Sequence, residues 1–406
     1  MERPRVVVTG LGVVSSIGIG WQAFWDSLLA SRSGVSEVTS FDTTDFPVHR
    51  GGEVREFHPE EFISPVRLKR YNRASQFAIA AAKMAIADAN LDLSIIPPQR
   101  IGVAIGTTMA EAQAIEAMDS EWLDHDHNES QIHSRLIPQY PANVIGAHVA
   151  LELGCYGPNM LLATACAAGN YALAYAFDSL QLGKTDVMLA GGADAFSRIA
   201  FMGFNRLFAM APERCQPFDK NRKGIMLGEG CGILILERYE SAIARQAPIY
   251  AEILGYGMSC DASHMTIPSL EGVKQVMVNA LNNADLSPSD VDYINAHGTG
   301  TPMNDWTECA AIQAVFGSEA SAPAVSSTKS MIGHAMGAAS ALEAVACVLA
   351  VRYDHLPPTI NFDEPDPQCK IDCVPNNSRR HVVKIALNNS FAFGGNNACL
   401  VVRKHA

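Results

Sequence analysis

The stretch ASQFAIAAAKMAIADA (residues 74–89) has a helical pattern, and the short apolar run IGVAIGT (residues 101–107) follows it. The same alternation includes RVVVTG (residues 5–10), DVMLAGGAD (residues 186–194) and GILILE (residues 232–237). Short apolar strands that alternate with helices are typical of parallel sheets covered by helices on both faces. The sequence therefore predicts an α/β fold.

The alternation resumes after residue 250, which indicates a second part of the chain. That part contains AEILGYGMS (residues 251–259) and VDYINAHG (residues 291–298), and it closes with the β-rich VKIALNNSFAFGG (residues 383–395). The change of pattern falls in RYESAIARQAPIY (residues 238–250). We therefore predict two domains, residues 1–250 and 251–406, although no internal repeat is visible in the residues themselves.

Composition narrows the class of protein. The 406 residues are 48% hydrophobic and 18% charged, which suits a large buried core. A net charge of −12 argues against a nucleic-acid-binding protein, because phosphate contact needs clustered Lys and Arg. We see no apolar run of the length that a signal peptide or a membrane span needs. The ten cysteines are irregularly spaced, so we expect a cytoplasmic protein with reduced thiols.

Three local patterns resemble a dinucleotide site or a metal site, but the residues around them do not support these functions. Gly10 and Gly12 follow a strand but lack the third glycine and the acidic residue of a dinucleotide site, so we predict a tight turn between strand and helix. The His125-Asp126-His127 cluster is more typical of a solvated loop than of a metal site. Cys369 and Cys373 have no second pair of ligands at zinc spacing.

Cys166 lies among small residues in LLATACAAGN (residues 161–170), between an apolar strand and a helical pattern. Unpaired N–H groups and the positive end of the helix dipole favour a thiolate there, and the thiolate is the nucleophile. Small neighbours leave room for a substrate. A buried structural cysteine is the alternative, and this segment by itself does not exclude it.

Three further segments place polar groups at the ends of predicted elements. NAHGTGTP (residues 295–302) puts His297 in a Gly/Thr loop after a strand. SSTKSMIGHAMGAA (residues 326–339) puts Lys329 and His334 before a helix in which Glu343 is placed to hold the lysine ammonium. NNSFAFGGNN (residues 388–397) forms a glycine-rich turn whose N–H groups can face a developing oxyanion.

The combination of one cysteine with two histidines indicates more than any of the segments alone. A Cys–His protease needs one histidine, oriented by Asn or Asp, and has no use for a second one beside a lysine. Decarboxylation of a malonyl thioester develops negative charge on the thioester oxygen, where two imidazole donors would stabilise the enolate. The residues therefore favour decarboxylative carbon–carbon condensation.

The chain resembles the β-ketoacyl-(acyl-carrier-protein) synthases of the thiolase superfamily, closest to the type II elongating synthases. The resemblance covers essentially the whole chain and rests on TACAAG, NAHGTGTP, SSTKSMIGHAMGAA and NSFAFGGNN in that order. VMLAGGAD, LGEGCGILILE and PPTINFD add agreement. It implies a thiolase-like five-layered αβαβα sandwich of two similar halves. It also implies condensation of a cysteine-bound acyl chain with malonyl-carrier, in fatty-acid, specialised lipid or polyketide elongation.

The resemblance also assigns residues. It implies catalytic functions for Cys166, His297, His334 and Lys329, and an oxyanion hole from the N–H groups of Cys166 and Phe393. It places the gate and acyl pocket at Phe391, Met109 and Ile225, and the pantetheine contacts at Thr299, Thr301 and Thr266. In some relatives, a structural cation lies near the positions of Asn295, Glu308, Glu343, Asn388 and Asn389.

The expected partners are an acyl carrier protein and a second subunit, in a homodimer or a paralogous heterodimer. No cofactor is expected, because the substrates arrive on the carrier's phosphopantetheine. Carriers are acidic, so the basic cluster of Arg67, Lys69 and Arg70 is a candidate docking surface, although a solvated helix start explains it equally well. Arg206 is a further candidate.

Four positions depart from the family pattern. Ala392 replaces a glycine beside Phe391, Ile225 replaces a phenylalanine, Ile267 replaces a serine, and Met109 stands where relatives line the acyl pocket. We therefore expect an unusual acyl pocket, as in a specialised lipid or polyene pathway. Two alternatives stay open. A non-decarboxylating thiolase-like enzyme is disfavoured because such enzymes use a second cysteine, and this chain has Gly395 or its neighbours at that place. An inactive partner subunit is disfavoured because the nucleophile Cys166 is present.

Overall fold

A computed structural model describes residues 4–317 and 322–405. The strands in these ranges are β1 (Val6–Ser15), β2 (Gly18–Ile19), β3 (Ser36–Glu37), β4 (Arg50–Gly51), β5 (Ile101–Gly106), β6 (Asn159–Leu162), β7 (Val187–Asp194), β8 (Gly230–Arg238), β9 (Ala251–Cys260), β10 (Tyr293–Asn295), β11 (Ala324–Ser326), β12 (His355–Leu356), β13 (Arg379–Arg380), β14 (Ile385–Phe391) and β15 (Asn396–Lys404). The helices are α1 (Trp21–Leu29), α2 (Pro65–Leu68), α3 (Arg73–Asp88), α4 (Ala112–Asp124), α5 (Val144–Leu153), α6 (Ala168–Gln181), α7 (Arg198–Arg206), α8 (Tyr239–Ala244), α9 (Leu270–Asn283), α10 (Pro302–Phe316), α11 (Lys329–Ile332) and α12 (Ala339–Tyr353).

The strands form two sets with the same topology. The order is β6-β5-β7-β8-β1 in the first set and β11-β10-β14-β15-β9 in the second. In each set the first three strands are parallel, and the fourth and fifth continue antiparallel. A short pairing of Val6–Val8 with residues 251–253 joins the two sets edge to edge. The expectation of two similar halves is confirmed, although the repeat is one of topology and not of residues.

The helices complete five layers. α6 and α12 lie between the two strand sets, because each of them contacts strands of both. α3 and α5 cover the outer face of the first set. α9 packs on the outer face of the second set, and α10 packs against α9. The α/β class and the αβαβα sandwich are therefore confirmed.

The helical run from Met336 to Tyr353 is long and apolar enough to span a membrane, but 89% of it is buried within the protein. It contains Glu343 and Arg352 and forms one of the two central helices. Its apolar character is therefore accounted for by the core.

The expected turn at Gly10 and Gly12 was wrong, because both glycines lie inside β1. A Cβ atom on Gly12 would stand 1.8 Å from the Ala81 carbonyl oxygen, and one on Gly10 would stand 2.2 Å from that of Ala85. These glycines therefore let α3 lie directly on β1. Glycine is required at both positions because the helix packs closely on the strand. The sequence around a glycine does not show whether it serves such packing or a turn.

The two central helices begin beside each other, and this brings the predicted motifs together. A Cβ atom on Gly169, near the start of α6, would lie 2.7 Å from the Ala341 nitrogen in α12. The Asn170 N–H also donates to Ser340 Oγ at 3.1 Å. The residues that precede these helices, around Cys166 and His334, are therefore neighbours.

Candidate active site

Cys166 lies in the 3-10 turn Ala165–Ala167, directly before α6. Ala165 has a φ of 48°, an unusual backbone conformation for alanine. Ser390 Oγ donates to the Cys166 carbonyl oxygen at 2.8 Å, which ties β14 to this turn. The turn is therefore held from the second half of the molecule, and the thiol is buried at its tip.

His297 follows β10 and His334 precedes α12, and both rings reach Cys166. The Cys166 sulfur and a ring nitrogen from each histidine all lie within 4.8 Å of one another. The two imidazole rings are 5.5 Å apart and nearly perpendicular, at 85°. The structure thus brings together the cysteine and both histidines that the sequence singled out.

The environment of the histidines keeps both rings uncharged. Burial, and then the nearby Lys329 ammonium, lower the pKa of each histidine well below 6.5. The Met336 N–H donates to His334 Nδ1 at 3.1 Å, so the neutral ring carries its proton on Nε2. His334 therefore offers an N–H donor.

His297 is positioned through its backbone. Glu308 in α10 accepts from the N–H groups of His297 and Gly298, each at 2.8 Å. Burial raises the pKa of the Glu308 carboxyl to about 7. Among the described residues, His297 Nδ1 is buried without a hydrogen-bond partner.

Lys329 is the cation beside this group, and its ammonium forms an ion pair with Glu343 in α12. Both side chains are completely buried. Burial raises the pKa of the Glu343 carboxyl to about 7, although the ammonium acts against that rise. The predicted pairing of the two residues is therefore present in the structure.

The thiol itself departs from expectation. Burial raises the pKa of Cys166 to about 11, although the Lys329 ammonium and then the Phe393 N–H lower it. The start of α6 was expected to favour the thiolate, and this was wrong, because burial raises the thiol pKa more than the nearby ammonium and N–H groups lower it. Cys166 therefore rests as a neutral thiol.

The glycine-rich turn after β14 separates its two phenylalanines. Phe391 is buried with its ring 5.6 Å from that of His297. Phe393 is 36% exposed, stacks on Phe204 at 5.8 Å, and its N–H is aimed at the Cys166 sulfur. Gly394 and Gly395 have φ angles of 84° and 79°, which only glycine adopts readily. The turn therefore presents the backbone N–H that an oxyanion hole requires.

A cavity of ≈ 280 Å³ leads to these groups. All three predicted pantetheine residues line it, and the Thr299 and Thr301 hydroxyls are 2.9 Å apart. Ile225 and Phe391 also line it, whereas Met109 does not. Met109 instead packs against the apolar cluster that contains Ile225. The cavity therefore reaches Ile225 and Phe391 but not Met109, and the acyl pocket at these three residues stays a prediction.

The predicted docking residues do not line this cavity. Arg67 pairs with Glu152 in α5 at 2.5 Å, and Lys69 and Arg70 lie exposed beyond the end of α2. Arg206 ends α7, next to Leu207 on the cavity wall. Docking at either place stays a prediction.

The residues of the predicted cation site form two separate contacts. Asn295 Nδ2 donates to Asn388 Oδ1 at 3.2 Å, and Asn389 Nδ2 donates to a Glu308 oxygen at 3.5 Å. Glu343 is engaged by Lys329. In residues 4–317 and 322–405, the one cluster of three metal-ligating His, Cys, Asp or Glu side chains is the reacting group itself. A cation at the predicted position stays a prediction.

Sequence reasoning assigned no function to Asp194 in VMLAGGAD. It is fully buried at the end of β7 and accepts four hydrogen bonds near the reacting group. The quoted motif contained the residue, but its four donors come from segments distant in the sequence.

Comparison with known proteins gives consistent matches over the chain. The sequence profile of the family "Beta-ketoacyl synthase, N-terminal domain" matches residues 3–242, and "Beta-ketoacyl synthase, C-terminal domain" matches residues 250–363. A Synechocystis sp. protein named 3-oxoacyl-[acyl-carrier-protein] synthase 2 is 42% identical, with 100% of this chain and 99% of that protein covered.

Solved structures agree with these sequence matches. The structure described as the ishigamide ketosynthase/chain length factor superposes with a TM-score of 0.97 at 44% identity, with both chains covered completely. A structure of a type II PKS acyl-carrier protein in complex with its ketosynthase superposes with a TM-score of 0.91 at 36% identity, also with complete coverage of both chains.

Proposed function

The chain belongs to the β-ketoacyl synthase family, and on that premise we propose how its residues carry out decarboxylative condensation. It is a carbon–carbon bond-forming acyltransferase, a 3-oxoacyl-(acyl-carrier-protein) synthase that acts on thioesters of an acyl carrier protein. The observation that carries the residue assignments is the convergence of the Cys166 sulfur and two histidine nitrogens within 4.8 Å.

In the first half-reaction, the Cys166 sulfur attacks the acyl-carrier thioester, and the carrier thiol leaves with the proton. The N–H groups of Cys166 and Phe393 donate to the oxyanion of the tetrahedral intermediate. Thr299, Thr301 and Thr266 contact the pantetheine arm in the cavity. Because burial raises the pKa of the resting thiol to about 11, the thiol loses its proton as part of this step.

In the second half-reaction, malonyl-carrier loses carbon dioxide and its enolate attacks the Cys166 thioester. The 3-oxoacyl-carrier is released, and the Cys166 thiolate that leaves takes up a proton from solvent. The neutral rings of His297 and His334 donate N–H groups to the enolate oxygen. Burial keeps both rings uncharged, and the nearby Lys329 ammonium lowers their pKa values further. No step requires a metal or another cofactor, so dialysis against a chelator should leave the rate unchanged.

The experiment incubates the protein with acyl-carrier and malonyl-carrier and follows intact mass, carbon dioxide and product. Cys166→Ala should abolish acylation, and His297→Ala and His334→Ala should abolish carbon dioxide release. Cys155→Ala is a matched control, because burial also raises the pKa of that thiol to about 11. A wild-type protein that is never acylated would instead support an inactive partner subunit.

We also propose that a second subunit of the same fold, a chain-length-factor-like paralogue, pairs with this chain. β6 is an edge strand with Asn159 and Met160 exposed, and unpaired edges invite pairing with another chain. Two solved relatives are described as ketosynthases with chain length factors. Light scattering of the chain alone and co-expressed with its paralogue tests this, and a stable, fully active homodimer would contradict it.

Three further assignments belong to this proposal. The acyl pocket continues from Ile225 towards Met109 and accepts chains of a specialised lipid or polyene pathway, which an acyl-loading panel tests. An ordinary saturated C4 to C14 preference would contradict it.

The protein is cytoplasmic, and its halves divide between residues 250 and 251, where β9 begins. Cell fractionation and expression of the two halves as separate chains are the corresponding measurements.

A further inference from the structure

Asp194 joins two segments that border the active site. Its Oδ1 accepts from Thr107 Oγ1 at 2.7 Å and from the Met109 N–H at 2.9 Å. Its Oδ2 accepts from the Thr108 N–H at 2.8 Å and from the Gly337 N–H at 2.7 Å. The side chain is completely buried, and among the described residues it has no ion-pair partner. Four donors to one carboxylate make this a strong and directional junction.

The first segment is the loop after β5, and it leads to the acyl pocket. Met109 packs against an apolar cluster that includes Ile225, on the cavity wall, and Met336. The Ala110 N–H donates to Thr107 Oγ1 at 2.9 Å, so the loop is closed on the same hydroxyl that donates to Asp194. Met109 therefore lies behind the cavity wall at Ile225, and its backbone is held by Asp194.

The second segment is the turn that orients His334. The Met336 N–H holds His334 Nδ1, and the next N–H along the chain, from Gly337, donates to Asp194. The two segments also touch directly, because a Cβ atom on Gly337 would lie 2.5 Å from the Thr107 carbonyl carbon. The two segments are therefore in direct contact beside the turn that orients His334.

We propose that Asp194 is a positioning residue that couples occupancy of the acyl pocket to the orientation of His334. This inference rests on the proposed function. An acyl chain that reaches Met109 acts on the Met109 N–H and, through the carboxylate that the Gly337 N–H shares, on the turn beside His334. His334 then stands correctly for the enolate. Malonyl-carrier is thus decarboxylated mainly by the acylated enzyme, so little malonyl thioester is lost without product.

The test uses Asp194→Asn, which keeps the shape of the side chain but turns one acceptor into an NH₂ group. In either orientation of the amide, two of the four donors lose their acceptor. Asp186→Asn is the matched control, since Asp186 stands just before β7 and pairs with Arg100 and Arg238 at the surface. Carbon dioxide release from malonyl-carrier is measured for free enzyme and for enzyme acylated on Cys166, with thermal unfolding as the check on folding.

We expect wild type and Asp186→Asn to release carbon dioxide faster when acylated. In Asp194→Asn, the rate for the acylated enzyme should fall about 100-fold, as misplaced catalytic groups do, and so lose its advantage over the free enzyme. The KM for malonyl-carrier should stay within about threefold, because binding of the pantetheine arm is not altered. A change in kcat without a change in KM would not come from general loosening of the fold.

Thr107→Val is a second variant, since it removes one donor to Asp194 while keeping the shape of the side chain. It should fold and lower the rate of the acylated enzyme about tenfold, in the same direction. The inference would be overturned if Asp194→Asn folds and releases carbon dioxide at the wild-type rate. If Asp194→Asn does not fold, a wild-type rate in Thr107→Val would overturn it instead. A wild-type enzyme that releases no carbon dioxide at all would overturn the proposed function as well.

Discussion

Lys329 and Glu343 form a completely buried ion pair beside the reacting group, and Lys329→Met tests what the pair contributes. The variant keeps an unbranched side chain of similar length but removes the ammonium. Glu343 is then left buried without its cation, and in the described structure its Oε2 already has no hydrogen-bond partner. The carboxyl must take up a proton, because burial already raises its pKa to about 7 with the ammonium present.

The expected loss of stability is large. Removing one partner of a buried pair costs about 3–5 kcal/mol, whereas an exposed pair contributes about 0–1 kcal/mol. Lys220 and Glu364 provide the exposed comparison, since their side chains are 51% and 50% exposed. Urea unfolding should therefore show a decrease of about 3–5 kcal/mol for Lys329→Met and little change for Lys220→Met.

The same variant should change the pH dependence of condensation. The ammonium lowers the pKa of both histidines, so its removal raises their pKa values. If the neutral rings are the active form, activity is lost on acidification at a higher pH in Lys329→Met than in wild type. The rate of carbon dioxide release, measured against pH with saturating malonyl-carrier, shows the shift directly.

The double variant Lys329→Met/Glu343→Leu separates stability from catalysis. Replacing a whole buried pair by apolar groups is often neutral or stabilising, so its free energy of unfolding should return to the wild-type value or above it. Its pH profile should stay shifted, because the ammonium is still missing. The reasoning would be refuted if Lys329→Met were no less stable than Lys220→Met, or if the acid limb of its profile did not move.

Three further predictions concern single groups. Alkylation of Cys166 by iodoacetamide should accelerate about tenfold per pH unit up to pH 10, because the thiol pKa is about 11; a plateau below pH 8 would contradict this. Ala392→Gly should lower the free energy of unfolding by about 0.5–1 kcal/mol in urea, since Ala392 adopts ordinary extended angles of −110° and 153°; a stabilised variant would instead reveal strain there. Glu308→Gln should gain stability relative to wild type as pH rises from 5 to 8, because burial raises the carboxyl pKa to about 7 and the folded state then favours the protonated form; a pH-independent difference would rule that out.

Much of the fold and the reacting group could be predicted because local patterns carried the information. Each motif stands at the end of a strand or the start of a helix, and in an α/β fold such ends meet at one place. His297 after β10 and Cys166 before α6 are examples. Two histidines with one cysteine then selected the type of chemistry.

What could not be predicted depends on contacts between distant segments. Burial raises the pKa of the Cys166 thiol more than Lys329 and the backbone N–H groups lower it, and burial is not visible in the sequence. Gly12 is required by Ala81, which lies in another element. Asp194 acquires its importance from Thr107 and Gly337, and no local pattern connects these residues. Burial and partners of this kind appear only after the layers have been assembled.

The charges around the reacting group suit the proposed reaction in one further respect. Cys166, His297 and His334 are all uncharged at rest, and the remaining cation, Lys329, is held by Glu343. Protonated histidines would attract the malonyl carboxylate before it reacts, and so would stabilise the ground state. Hydrogen bonds from neutral N–H donors strengthen most when negative charge moves onto the thioester oxygen, which occurs as carbon dioxide leaves. Burial, and then the Lys329 ammonium, keep both rings neutral, so their N–H groups stabilise the transition state of decarboxylation more than the ground state.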